Sequence, residues 1–139
     1  MDSRTVSNEA LFPEVDAMLR EGREVEFRPK GSSMLPFIRG EADSVVVARK
    51  EEIAEGDIVL AKIGGRYILH RVIKIEGEKI TMMGDGNVRG TEACSKSDVL
   101  GTVVQIVAPS GKVRIPGKGR LWKALRPVRR YLLAIYRRI

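Results

Sequence analysis

Three short strings in the sequence carry the residue types of a nucleophile, a base and an acid. The first reads KGSSMLP at residues 30–36 and offers the Ser33 hydroxyl as a candidate nucleophile after a small-residue turn. Gly31 lets the backbone approach a substrate closely, and Pro36 stiffens the segment that follows the serine. A plain glycine-serine turn between two strands is the alternative interpretation of the same string.

The second and third strings supply the base and the acid. His70, the only histidine in the chain, lies inside a β-forming run at residues 67–73. A neutral imidazole can take a proton from a serine hydroxyl near neutral pH. Asp85 lies in the tight Gly-Asp-Gly-Asn turn at 84–87, and Glu92 follows seven residues later. Either carboxylate could orient the imidazole, but the histidine could also bind backbone carbonyls and the aspartate could cap its own turn.

Short β-type segments fill the chain between residues 24 and 116 and must position these strings. The predicted strands are Glu24–Arg28, Ser44–Arg49, Asp57–Ile63, Arg66–Glu76, Lys79–Met83, Val99–Val107 and Lys112–Ile115. The Gly-Gly pair at 64–65 is typical of a two-residue hairpin turn. This spacing predicts a mainly β fold built on a compact, mostly antiparallel sheet or barrel.

Helical spacing is confined to the two ends of the chain. Apolar residues between 11 and 19 predict a short helix over about 8–21 that ends at Gly22. From 121 to 139 an apolar stripe runs through Leu121, Leu125, Val128, Leu132, Ile135 and Ile139, and Pro127 is expected to start a second helix. The predicted organisation is an N-terminal helical segment at 1–23, a β domain at 24–117 and an amphipathic basic tail at 118–139.

Composition and charge exclude several classes of protein. The 139 residues include one Cys and one His, too few for a disulfide framework or a His/Cys zinc site, so we expect neither metal nor cofactor. Eight of the 25 basic residues, and no acidic one, lie between 118 and 139. The other 17 basic residues nearly balance the 18 acidic ones. The positive charge therefore belongs to the tail, and the β domain is not composed like a specific nucleic-acid-binding surface.

The strings, in the order Ser, His, acid, resemble the signal peptidase I and LexA-like serine peptidase superfamily, and most closely its Ser-His signal peptidase branch. The nucleophile of that family lies in a Ser-Met-x-Pro string, which residues 33–36 match, and the base of the Ser-His branch lies in a His-Arg-Val string, which residues 70–72 match. Gly-Asp-Ile-Val at 56–59, Gly-Asp-Gly-Asn at 84–87 and Gly-Thr-Val at 101–103 match further family boxes in order. The resemblance covers about residues 24–108 and implies a signal-peptidase-like antiparallel β fold.

The resemblance implies roles for particular residues. Ser33 would be the nucleophile and His70 the general base, with Asp85 or Glu92 as the acid that orients the imidazole. The oxyanion and substrate-binding residues would be the neighbours of the nucleophile, namely Gly31, Ser32, Met34 and Pro36. The substrate would carry small residues near the scissile bond.

The sequence departs from the family pattern in three places. The acid expected several residues beyond the Gly-Asp-x-Asn box is not an aspartate, so Glu92 would have to replace it or Asp85 would have to serve. Gly31 stands where bacterial signal peptidases carry an extra oxyanion serine. We also expect no N-terminal membrane anchor, because the sequence contains no uncharged apolar run long enough to span a bilayer. A lysine base, Lys62 or Lys74, is a further alternative, although neither occupies the family's base position.

The expected function is that of a serine endopeptidase that cleaves leader or signal peptides. The alternative is a catalytically weak peptidase-like β module that binds a peptide or a protein partner. We expect a cytoplasmic address with peripheral attachment at the inner membrane face, where the cationic tail would bind an anionic lipid surface. The tail could instead pack on the β domain or a second subunit; nucleic-acid binding by so short a basic segment would be non-specific.

Overall fold

The computed structural model describes residues 5–6, 12–31, 33–87, 90–119 and 124–137 and confirms the mainly β prediction. These residues contain nine strands, namely β1 (Thr5–Val6), β2 (Val25–Phe27), β3 (Ser44–Ala48), β4 (Ile58–Ile63), β5 (Arg66–Glu76), β6 (Lys79–Met83), β7 (Glu92–Ser95), β8 (Val99–Val107) and β9 (Val113–Arg114). The α-helices among the described residues are α1 (Phe12–Arg20) and α2 (Arg129–Arg137). Short 3-10 turns cover Lys96–Asp98 and Arg126–Val128.

All described strands join one sheet in the order β1-β2-β3-β8-β4-β5-β6-β7, with β9 paired to β8. The β1–β2 pair is parallel and the other pairs are antiparallel. Strands β5, β6 and β8 have the predicted bounds. Strands β1 and β7 were not predicted: the first is two residues long, and the second reads EACS, which contains no β-branched or aromatic residue.

The first helix closes one side of the main core. Val15 and Leu19, one turn apart, are fully buried in a core cluster that also contains residues of β2, β3, β4 and β8. The helix ends in a Schellman motif, in which the Arg23 amide donates to the Met18 carbonyl and the Gly22 amide to the Leu19 carbonyl, each at 3.0 Å. Gly22 has a φ of 84°, which explains why the helix ends there. The predicted start at residue 8 lies outside the described residues.

The second helix packs through a different face from the predicted stripe. Leu133 is fully buried, whereas Val128 is 43% and Ile135 is 61% exposed. The reason is Arg129, which is buried one turn before Leu133 and donates from Nη1 to the Asn87 carbonyl at 3.3 Å. The helix therefore lies against the turn after β6. Within the described residues, neither helix is long and apolar enough to cross a membrane.

Candidate active site

Ser33 lies in the connection between β2 and β3, held by the residue that follows it. Met34 is buried in the main core, and its carbonyl accepts hydrogen bonds from the Phe37 and Ile38 amides, both at 3.0 Å. The Leu35–Pro36 peptide bond in this turn is cis. Ser33 itself is half-buried. The turn thus fixes the serine backbone while the side chain stays near the surface.

His70 and Glu92 meet because the sheet register aligns β5, β6 and β7. Val72 pairs with Met82, and Met82 pairs with Glu92, so the carboxylate starts a strand two places from the histidine's strand. Oε1 of Glu92 is hydrogen-bonded to Nδ1 of His70, whose ring is largely buried. When Nδ1 donates to a carboxylate, the neutral ring keeps its lone pair on Nε2. Nε2 is then the nitrogen that can accept a proton.

Gly84, directly after β6, is the point where the serine and the histidine approach one another. A Cβ on Gly84 would lie 2.4 Å from the Ser33 carbonyl oxygen, 2.9 Å from Nδ2 of Asn87 and 3.0 Å from Nε2 of His70. The Gly86 amide donates to the same Ser33 carbonyl at 2.6 Å. The Gly-Asp-Gly-Asn turn therefore holds the serine backbone near Nε2 of the imidazole, and only glycine fits at its first position.

A cavity of about 400 Å³ opens at this meeting point. Ser33, His70, Glu92 and Asn87 all line it. Its apolar wall is formed by Phe27, Met34, Ile38, Leu60, Tyr67, Ile68 and Leu69. A concavity that combines an apolar wall with a few converging polar groups is the usual form of a ligand site.

Asp85, the other candidate acid, has a different partner. Nε of Arg71 donates to its two carboxylate oxygens at 2.9 and 3.1 Å, and Nη2 donates at 2.8 Å. Both side chains are almost completely buried. Burial raises the pKa of the Asp85 carboxyl, and the hydrogen bonds and charge of Arg71 oppose that rise. Of the two acids that the sequence left open, Glu92 is the one hydrogen-bonded to the His70 ring, whereas Asp85 is hydrogen-bonded to Arg71.

Arg71 is the residue that sequence reasoning missed. Its Nη1 also donates to the carbonyls of Gly56 and Gly117, both at 2.7 Å, and its guanidinium lies 5.0 Å from the Phe37 ring centroid. Arg71 thereby contacts four segments: the turn before β4, the turn after β6, the turn that contains Ser33 and Phe37, and the segment after β9. The arginine in the His-Arg-Val string was the available signal, since a charged residue among β-forming apolar residues needs a buried partner.

The remaining predicted residues are placed as follows. Gly31 and Met34 line the cavity, whereas Pro36 is half-buried and does not. Ser32 lies outside the described residues. Gly31 has a φ of 81°, and a Cβ on Gly40 would overlap its carbonyl oxygen, so two backbone segments cross tightly beside the serine.

Neither alternative lysine base lies at the site. Lys62 is 5.6 Å from the Tyr67 ring centroid, and Lys74 is exposed and pairs with Glu76 at 3.6 Å. Neither lysine lines the cavity that contains Ser33. Throughout the described ranges, no group of three or more His, Cys, Asp or Glu side chains could hold a metal ion.

Comparison with known proteins agrees with the mainly β fold and with the peptidase superfamily that the sequence resembles. Residues 5–104 match the Peptidase S24-like family, and this range contains every strand from β1 to β7 and the first two thirds of β8. It also contains the Ser33 turn, His70, the Gly84 turn and Glu92. No curated protein matches the chain. Because the match spans most of the sequence, the chain belongs to the Peptidase S24-like family, which indicates a peptidase-type function of the serine class.

Proposed function

We propose that the protein is a serine endopeptidase that cleaves leader or signal peptides, with Ser33 as nucleophile and His70 as general base. The observation that carries the proposal is the arrangement at one cavity of Ser33, the His70 ring and the Glu92 carboxylate on Nδ1. Family membership supports the class of reaction. The specific pairing of serine with histidine rests on the geometry around Gly84.

In the proposed mechanism, Oγ of Ser33 attacks the carbonyl carbon of the scissile peptide bond. The Oγ–C bond forms while the hydroxyl proton passes to Nε2 of His70. The C–N bond then breaks, and the leaving amine takes that proton. Water then attacks the carbonyl carbon of the resulting ester and gives a proton to Nε2 of His70. The C–Oγ bond breaks, Oγ takes that proton, and the carboxyl product is released.

Glu92 acts as a positioning residue in this scheme. Its hydrogen bond to Nδ1 keeps the lone pair on Nε2, and its negative charge stabilises the imidazolium that forms during attack. Backbone amides beside Ser33 are the proposed donors to the oxyanion, where loss of one donor costs about 3–4 kcal/mol of barrier. The substrate would bind in an extended form, so that alternate side chains enter the cavity.

The direct test is cleavage of a diverse peptide library, read by mass spectrometry. The wild-type protein is expected to cut, Ser33→Ala is expected to abolish cutting, and Ser110→Ala is the matched control because Ser110 is exposed in a turn after β8. Equal cutting by wild type and Ser33→Ala would refute the proposed nucleophile. Binding of peptides without any cutting would favour the peptide-binding module instead.

We also propose that the tail binds an anionic membrane surface. Val128, Tyr131 and Ile135 are 43%, 58% and 61% exposed and follow one another at helical spacing on and just before α2. The segment 118–139 carries eight basic residues and no acidic one. Exposed apolar side chains on a cationic helix are typical of helices that lie in a lipid interface, where each cation contributes about 1 kcal/mol.

Vesicle flotation tests the membrane proposal without removing the buried part of the helix. Changing Val128, Tyr131 and Ile135 to serine is expected to release the protein from vesicles rich in anionic lipid. Ile115→Ser is the control, because Ile115 is 74% exposed but lies outside the helix. No binding to anionic vesicles, or binding that survives the triple change, would refute it.

A further inference from the structure

The rim of the active-site cavity carries three cations that the proposed chemistry does not use. Arg28 and Lys30 precede Ser33 in the connection after β2, and Arg66 starts β5, the strand that carries His70. All three side chains are exposed. Within the part of the chain that the structure describes, no ion pair or hydrogen bond engages their side chains.

The carboxylate that lines the cavity is already hydrogen-bonded to another side chain. Glu92 is the one carboxylate among the described residues that line it, and its Oε1 is hydrogen-bonded to His70. The chain outside the tail has nearly equal numbers of basic and acidic residues, so an average surface would not give this excess. The positive charge at the rim is therefore a local feature of the cleft.

The cations come from the two chain segments that carry the reacting groups. Two are on the segment that leads into the nucleophile, and the third is on the strand that leads to the base. An extended peptide that crosses from one segment to the other would pass these cations. Clefts lined by one sign of charge concentrate ligands of the opposite sign and select among them.

We infer that the substrate peptide carries acidic side chains flanking the residues that enter the apolar cavity. This inference rests on the proposed endopeptidase function and names its substrate class. The apolar wall receives a small or apolar side chain beside the scissile bond, and the rim cations pair with carboxylates further along the peptide.

The test uses sets of short peptides with an alanine-rich centre whose flanking residues are Asp and Glu, Asn and Gln, or Lys. Cleavage is compared by kcat/KM, and we expect the acidic set to exceed the neutral amide set roughly tenfold, as expected for a few exposed ion pairs acting together. Raising NaCl from about 0.05 to about 0.5 M should shrink this ratio, because salt screens exposed charges.

A charge-removal variant locates the preference on the rim. Changing Arg28, Lys30 and Arg66 to glutamine is expected to bring the ratio close to one. The matched control changes Arg49, Lys79 and Lys112 to glutamine, which removes the same charge from exposed positions that do not line this cavity. The control should keep the preference. Equal use of acidic and neutral peptides, or a preference that survives the rim variant, would overturn the inference.

Binding separates this inference from the proposed reaction. The Ser33→Ala protein is titrated against the same peptides carrying an uncharged fluorophore, and anisotropy reports the dissociation constants. Tighter binding of acidic peptides that disappears in the rim variant supports the inference even if no peptide is cut, in which case only the proposed endopeptidase function fails. Failure of the acidic peptides to bind more tightly than the neutral ones overturns the inference.

Discussion

A single methyl group at Gly84 should separate the two proposed reacting residues. In Gly84→Ala the new Cβ would lie 2.4 Å from the Ser33 carbonyl oxygen and 3.0 Å from Nε2 of His70. The Ser33 backbone would have to move by about 1 Å to reach an ordinary contact distance. That movement also strains the 2.6 Å hydrogen bond from the Gly86 amide to Ser33.

The expected consequence is larger for activity than for stability. A displacement of about 1 Å at a reacting group costs roughly 100-fold in rate. Overpacking by one methyl group at a buried position lowers the free energy of unfolding by about 1–3 kcal/mol. Gly84→Ala should therefore stay folded at moderate temperature while its kcat/KM for a cleaved peptide falls about two orders of magnitude.

The assay pairs peptide cleavage with urea denaturation and includes Gly117→Ala. A Cβ on Gly117 would meet nothing within 4 Å, and the carbonyl that accepts from Arg71 is retained. That control should match wild type in both measurements. If Gly84→Ala cleaves peptides as fast as wild type, then Ser33 and His70 do not approach one another around this glycine in the working protein, and the reasoning is refuted.

Three further predictions concern stability and thiol reactivity. Arg71→Leu should lower the free energy of unfolding in urea by about 3–5 kcal/mol, because it leaves the Asp85 carboxyl buried without its cation; adding Asp85→Leu should recover part of the loss, and no recovery would contradict this reason. Gly22→Ala should lower the free energy of unfolding in urea by about 1–2 kcal/mol, because a residue with a side chain is strained at a φ of 84°. Gly117→Ala should leave that free energy unchanged. Burial raises the pKa of the Cys94 thiol, so alkylation should begin at higher pH than for an unfolded control; equal profiles would contradict it.

The strands were predictable because their signals are local. Long β-branched runs such as those of β5 and β8 fix their own bounds, and a Gly-Gly turn fixes the hairpin between β4 and β5. Strand β7, which contains Cys94, has no such local signal. That strand forms because it pairs with β6, and its own composition does not predict this pairing.

The sequence indicated the candidate site residues, but it did not indicate which side chains are hydrogen-bonded to each other. The strings pointed to Ser33, His70 and two acids, and only the register across β5, β6 and β7 decides which acid meets the imidazole. The partner of Asp85 is Arg71, which directly follows His70 in the chain. Because successive side chains of a strand point to opposite faces, Arg71 and His70 bind different acids. Sequence spacing alone does not separate these two pairings.

A double-mutant cycle on kcat/KM tests the central claim most directly. Ser33→Ala and His70→Ala are measured singly and together on one cleaved peptide. If the two side chains form one proton-transfer unit, each single change removes most of the activity, and the double variant is no slower than the slower single variant. Losses that multiply, or a His70→Ala protein that cleaves at the wild-type rate, would contradict the claim that this hydroxyl and this imidazole act together.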